Sequence, residues 1–151
     1  MKRNPLANVL VMSITLLIIV GGLLFFNFRS GNVVVNYDES FKTGDKVSGT
    51  LTLNLEQRDE LQKDTAMIVS LSRGNKVLLA ETLTIQEFIS LSGKNPKTIQ
   101  KQDSVYYIGP ESYPVKIESI LDYTFSEPGS YEVFFTIPKI DFTIKRAILV
   151  E

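Results

Sequence analysis

The chain has 151 residues, 16 of them basic and 17 acidic, for a net charge of −1. It contains no cysteine and no histidine, which excludes disulfides, lipidation at cysteine, the usual zinc sites and histidine-dependent catalysis. The lack of a basic surplus argues against nucleic acid as a partner.

The first element is the run from Leu6 to Phe28, 23 residues without a charge, preceded by Lys2 and Arg3 and closed by Arg29. As a helix it would be roughly 34 Å long, enough to cross a bilayer core of about 30 Å. A cleaved signal peptide has a shorter apolar region that ends in small residues, whereas Phe25, Phe26, Asn27 and Phe28 end this one. The expectation is an uncleaved signal anchor: residues 1–5 cytoplasmic, 6–28 a single transmembrane helix in the lipid bilayer, 29–32 a short linker, and 33–151 one extracytoplasmic domain. Lys2 and Arg3 before the span, against Arg29 alone after it, set that orientation. The part beyond residue 30 carries 13 basic residues against 17 acidic, a net of −4, and is long enough for one core.

That outer part reads as strands. Val33-Val34-Val35 is an apolar strand. From Val47, the residues Val47, Gly49, Leu51, Leu53 and Leu55 fall on one face, and Ser48, Thr50, Thr52 and Asn54 on the other. This period of two marks a half-buried strand. The stretch Glu56 to Asp64 gathers Glu56, Asp59, Glu60 and Asp64. Calcium binds such carboxylates, but the EF-hand spacing is missing and Arg58 and Lys63 are interleaved, so a solvated hairpin loop is expected. Met67, Val69 and Leu71 alternate next, Gly74-Asn75 supplies a tight turn, and Val77 to Leu83 returns as the hairpin partner.

One helix interrupts the strands. Thr84 with Glu87 three residues on forms a capping box, Ile85, Phe88 and Ile89 have helical spacing, and Gly93 followed by Pro96 marks the stop. It is expected to cover one open end of the core.

Ser92 to Tyr113 is the longest polar stretch. It is the candidate binding loop, with Lys94, Lys97 and Lys101 reaching acidic glycan or protein and Tyr106, Tyr107 and Tyr113 giving contact area. The alternative is that alternate tyrosines are buried in a strand and the lysines simply face water. Val115, Ile117, Ser119 and Leu121 alternate as the next strand. Glu127-Pro128-Gly129-Ser130 has a type II turn signal, Tyr131, Val133, Phe135 and Ile137 share a face, and Ile140 to Val150 closes the chain as a strand. About seven strands separated by turn signals form the pattern of an all-β, antiparallel β-sandwich with one short helix.

Phe41-Lys42-Thr43-Gly44-Asp45-Lys46-Val47-Ser48-Gly49-Thr50-Leu51 resembles the opening strand of arrestin-like and other immunoglobulin-like sandwiches. Pro128-Gly129-Ser130-Tyr131-Glu132-Val133 is similar to the Pro-Gly-x-Tyr-x-Val hairpin of immunoglobulin-like surface modules. As a whole the chain resembles small uncharacterised membrane-anchored proteins of archaea. These residues serve turns and core, so the resemblance implies an immunoglobulin-like fold and carries over no site.

No Ser-x-x-Lys spacing is present, and no catalytic, cofactor-binding or metal-binding motif stands out. The expected function is therefore non-enzymatic: a single-pass surface module that binds protein or envelope components through loops or a strand edge, with no cofactor. The alternatives are a structural subunit of a pilin-like filament, which also joins an apolar N-terminal helix to a β-rich head, and an accessory subunit of a membrane complex. Asn4-Pro5 after Lys2-Arg3 is a poor match to a prepilin cleavage site.

Overall fold

The computed structural model describes residues 32–36 and 40–151. The expected cytoplasmic residues 1–5, the span 6–28 and linker residues 29–31 lie outside the described residues. Among the described residues, no helix is long and apolar enough to cross a membrane.

Ten strands and one helix follow in order: β1 (Asn32–Asn36), β2 (Thr50–Leu55), β3 (Glu60–Gln62), β4 (Ala66–Arg73), β5 (Lys76–Thr84), α1 (Ile85–Leu91), β6 (Thr98–Lys101), β7 (Ser104–Ile108), β8 (Glu111–Lys116), β9 (Gly129–Ile137) and β10 (Phe142–Val150). They form three antiparallel sheets, ordered β1-β2-β8, β10-β9-β4-β5 and β3-β7-β6. The first two face each other across a single core. Val33, Val35, Leu51, Leu53, Leu55, Tyr113 and Val115 come from one side, and Met67, Val69, Leu71, Tyr131, Val133, Phe135, Ile137, Ile148 and Val150 from the other. The alternation in sequence is the cause: every second residue of β2, of β4 from Met67 to Leu71 and of β9 from Tyr131 to Ile137 is apolar and buried, and one face of each strand is thereby committed to the core. Over the described residues the architecture is an all-β sandwich with one short α-helix.

The β4–β5 hairpin turns at Gly74-Asn75 as expected, and a bulge between Leu71 and Ser72 shifts its register. The helix begins where the capping box predicts. Thr84 Oγ1 accepts from the Glu87 N–H at 3.2 Å, and Glu87 Oε2 accepts from the Thr84 N–H at 2.6 Å. Ile85, Phe88 and Ile89 are its buried face, and it touches β5 of one sheet and β8 of the other, so it closes one end of the sandwich.

Several expectations need correction. Val47 is fully buried, but Gly49 is only half-buried and precedes β2. It sits at φ +145°, and its carbonyl accepts the Ile117 N–H at 2.9 Å, so a backbone requirement holds it there. The strand expected through Leu121 ends at Lys116, because Ile117–Ser119 winds into a 3-10 turn. Ile117 and Leu121 are still buried. Gly129 does have positive φ, at +138°, but it already opens β9 and misses the type II value near +80°. The Glu56–Asp64 stretch is not a free loop: residues 60–62 form β3, and Asp59 is 5% exposed because its Oδ2 accepts the Glu56 N–H at 2.6 Å.

Candidate functional site

The polar stretch 92–113 begins at the end of α1, where the Ser92 N–H and the Gly93 N–H return to the carbonyls of Ile89 and Ser90 and Gly93 takes φ +68°. It then forms the hairpin β6–β7, turning at Gln102-Asp103 with Gln102 at φ +52°. β3 joins the free side of β7, pairing Leu61 with Tyr107 and Gln62 with Tyr106. The third sheet crosses one end of the sandwich, since β3 follows the end of β2 and leads into the start of β4.

Alternation gives this sheet two faces. Leu61 and Tyr107 join the core, at 5% and 6% exposure. The opposite face carries Ile99, Lys101, Ser104, Tyr106, Ile108, Glu60 and Gln62, as their register requires. Contacts agree with that register. Gln62 Nε2 donates to Ser104 Oγ at 3.0 Å, Lys101 forms an ion pair with Glu60, and Lys139 donates to Gln62 Oε1. Ile99, Tyr106 and Ile108 are half-buried.

The six candidate residues therefore divide. Tyr113 of β8 and Tyr107 of β7 lie in the core and offer no surface to a ligand. Burial pushes both phenols above their ordinary pKa, and at Tyr113 the nearby Glu111 and Tyr107 add to the rise. The Tyr113 hydroxyl is fully enclosed and has no hydrogen-bond partner. Lys94 is tied down: it donates to the Ser112 carbonyl at 2.6 Å and lies 3.3 Å from Glu111 Oε1. The Ser112 N–H and then Lys94 hold the Glu111 carboxyl below its ordinary range. Lys101 is paired as described, whereas Lys97 is exposed and Tyr106 half-buried. Lys97, Lys101 and Tyr106 remain on the surface at one end of the domain.

A shallow groove of about 590 Å³ runs between β5, α1 and the 3-10 turn, lined by Glu81, Thr82, Leu83, Glu87, Leu91 and Ile120 among others. Within it, Glu87 is occupied by the capping box, whose Thr84 N–H and hydroxyl lower its pKa, and the Ser90 hydroxyl donates to the Gln86 carbonyl at 2.8 Å. Among the described residues, no group of three or more acidic side chains is placed to hold a metal ion.

One feature is only partly anticipated by the sequence, and another is not anticipated at all. The strand β7, with Tyr107 buried and Tyr106 outward, agrees with the alternative of alternate tyrosines in a strand, and Val105-Tyr106-Tyr107-Ile108 is its β-prone run; its pairing with β3 and β6 is hidden by their polar residues. The other is a corner before β9, where the Tyr131 hydroxyl donates to the Glu127 carbonyl at 2.7 Å. Arg73 stacks 5.5 Å from the Tyr131 ring centroid, pairs with Glu127 and donates to the Pro128 carbonyl at 3.0 Å. Its signal in sequence is a tyrosine two residues past Pro-Gly.

The chain matches no protein-family model and no curated protein.

Proposed function

We propose that the protein is a single-pass, membrane-anchored interaction module. In this reading an extracytoplasmic immunoglobulin-like domain binds protein or envelope components without catalysing a reaction. The observation that carries it is the junction: the 23-residue uncharged run ends at Phe28, and β1 begins at Asn32, so the folded domain follows the span almost at once.

Three observations support the immunoglobulin-like assignment. Seven strands in two facing sheets, β1-β2-β8 and β10-β9-β4-β5, have the strand number of that class, with the fourth of them, β5, beside β4 instead of beside β8. Phe41 bridges Val150 in parallel, with the Thr43 N–H donating to the Glu151 carbonyl at 2.9 Å, so the segment before β2 joins the far sheet along its last strand. The Tyr131–Glu127 hydrogen bond has the form of a tyrosine corner at the start of the sixth sandwich strand, β9. The non-catalytic reading rests on a sequence without histidine or cysteine and on a groove without paired acid–base groups.

The test is the intact mass of the protein isolated from its native membranes, with detergent required for release. An unprocessed N-terminus that needs detergent supports the anchored module. Loss of Lys2 and Arg3 overturns it in favour of a processed, filament-forming subunit, and release by alkaline washing overturns the anchor itself.

A further inference from the structure

The two ends of the sandwich differ, and the chain enters at only one of them. Asn32 opens β1 opposite Asn54, and Leu55 beside it pairs with Glu111. The same end carries the third sheet and the start of α1, since Gln86 N–H reaches the Lys63 carbonyl and Ile85 N–H the Thr65 carbonyl at 2.9 Å each. The opposite end holds the Gly74-Asn75 turn, the Lys42–Asp45 turn and the corner at Glu127. Between them lies the length of a nine-residue strand such as β9, about 30 Å.

We infer that the outward face of the third sheet, with Ile99, Tyr106 and Ile108 flanked by Lys97 and Lys101, rests on the lipid headgroups of the membrane that holds residues 6–28. This inference rests on the anchored reading proposed above. From Phe28 to Asn32 the chain covers four residue steps, at most about 14 Å, which is less than half the length of the sandwich. The tethered end therefore stays at the headgroup layer. Its chemistry suits that layer. A half-buried tyrosine and two isoleucines give an apolar surface with a polar tip, and the lysines stand beside phosphates. The acidic neighbours Glu60, Glu111 and Asp103 outnumber Lys97 and Lys101, so the tether brings this face to the membrane and electrostatic attraction does not. The lysines of the expected binding loop would then meet lipid, and the Gly74-Asn75 end would be the one presented outward.

The test uses the full chain reconstituted in phosphatidylcholine vesicles that carry a headgroup spin label. Because the chain has no cysteine, each of Lys97→Cys, Lys101→Cys and Asn75→Cys carries a fluorophore at one place only. The expected result is quenching several-fold stronger at positions 97 and 101 than at 75. Equal or reversed quenching in protein that floats with the vesicles overturns the orientation and leaves the anchor standing. Protein that does not float with the vesicles overturns the anchor, and the orientation with it. The use of Lys97, an exposed residue outside any strand, guards against a folding defect from breaking the Lys101–Glu60 pair.

Discussion

The sandwich sheets and the sheet that crosses their end are built by different means. In the sandwich, β2, β4 and β9 run six to nine residues and bury every second side chain against the facing sheet. In the end sheet, β3 and β6 run three and four residues, and of its apolar side chains only Leu61 and Tyr107 are buried. The sandwich is held by apolar area spread over many strands, each buried side chain contributing about 1.5–3 kcal/mol. The end sheet is held by a few inward residues plus hydrogen bonds at its connections, such as the Glu56 N–H to the Asp59 carboxylate and the Gly109 N–H to the Asp59 carbonyl. A region of the first kind unfolds as a whole, whereas one of the second kind opens by itself at lower cost.

The largest effect that would break this comparison is at Val47, which is fully buried between the sheets. Val47→Asp places an unpaired carboxylate in the core and is expected to abolish folded protein, read as loss of soluble yield and of the β-sheet circular dichroism signal. An unchanged yield would contradict the burial of the Val47 face. Next comes Phe135→Ala. Phe135 is fully buried and its ring meets Phe88 of α1 and Phe142 of β10. The loss is expected to be about 3–5 kcal/mol in urea unfolding, with one cooperative transition.

Gly109→Ala sharpens the contrast from the other side. A Cβ there would lie 1.9 Å from the Glu56 carbonyl oxygen, so the backbone joining β7 to β8 must move. An overpacking cost of about 1–3 kcal/mol is expected. Hydrogen exchange should quicken at β3 and β7 amides and stay slow in β4 and β9. Faster exchange throughout would show that the two regions open together. Thr84→Ala removes the cap of α1 and is expected to cost about 1 kcal/mol, seen as a lower urea midpoint.

The smallest effect is on pH dependence. Thr84 lowers the pKa of Glu87, the Ser112 N–H and Lys94 lower that of Glu111, and Arg73 lowers that of Glu127, each from an ordinary 4.5. A lowered folded pKa adds stability that is present above 4.5 and is lost as pH falls through the folded value. The urea midpoint should therefore decline below pH 4.5, and Glu87→Gln should flatten part of that decline. At the alkaline extreme the raised pKa values of Tyr107 and Tyr113 have the opposite sign: stability is present below 10.0 and is lost as pH rises through the folded values. A midpoint unchanged across both ranges would mean that the carboxylates lack these hydrogen bonds and that the two tyrosines are not buried.

Legibility in the sequence followed the same division. The seven strands with apolar runs or period-two patterns became the two facing sheets. Thr84, Glu87 and Gly93 marked the helix because capping uses only local groups. The end sheet was legible only in part: a strand through the tyrosines was one of two readings, but Glu60, Gln62, Lys101 and Ser104 look like solvated loop residues until their partners are known. Tyr106 and Tyr107 are adjacent and chemically identical, yet one faces outward and the other joins the core. Only the register of β7 against β3 and β6 assigns them.

The sequence by itself determined the all-β character of the part after residue 32, the placement of the helix and the uncharged run of 23 residues before the first strand, because period, capping and hydropathy are properties of neighbours along the chain. Tertiary structure alone decided which tyrosines are buried, that Gly49 and Gly109 answer to backbone constraints, and that the third sheet lies at the same end as Asn32. Those facts depend on pairings between residues dozens of positions apart, such as Leu61 with Tyr107 and Leu55 with Glu111, and a local pattern does not record its distant partner.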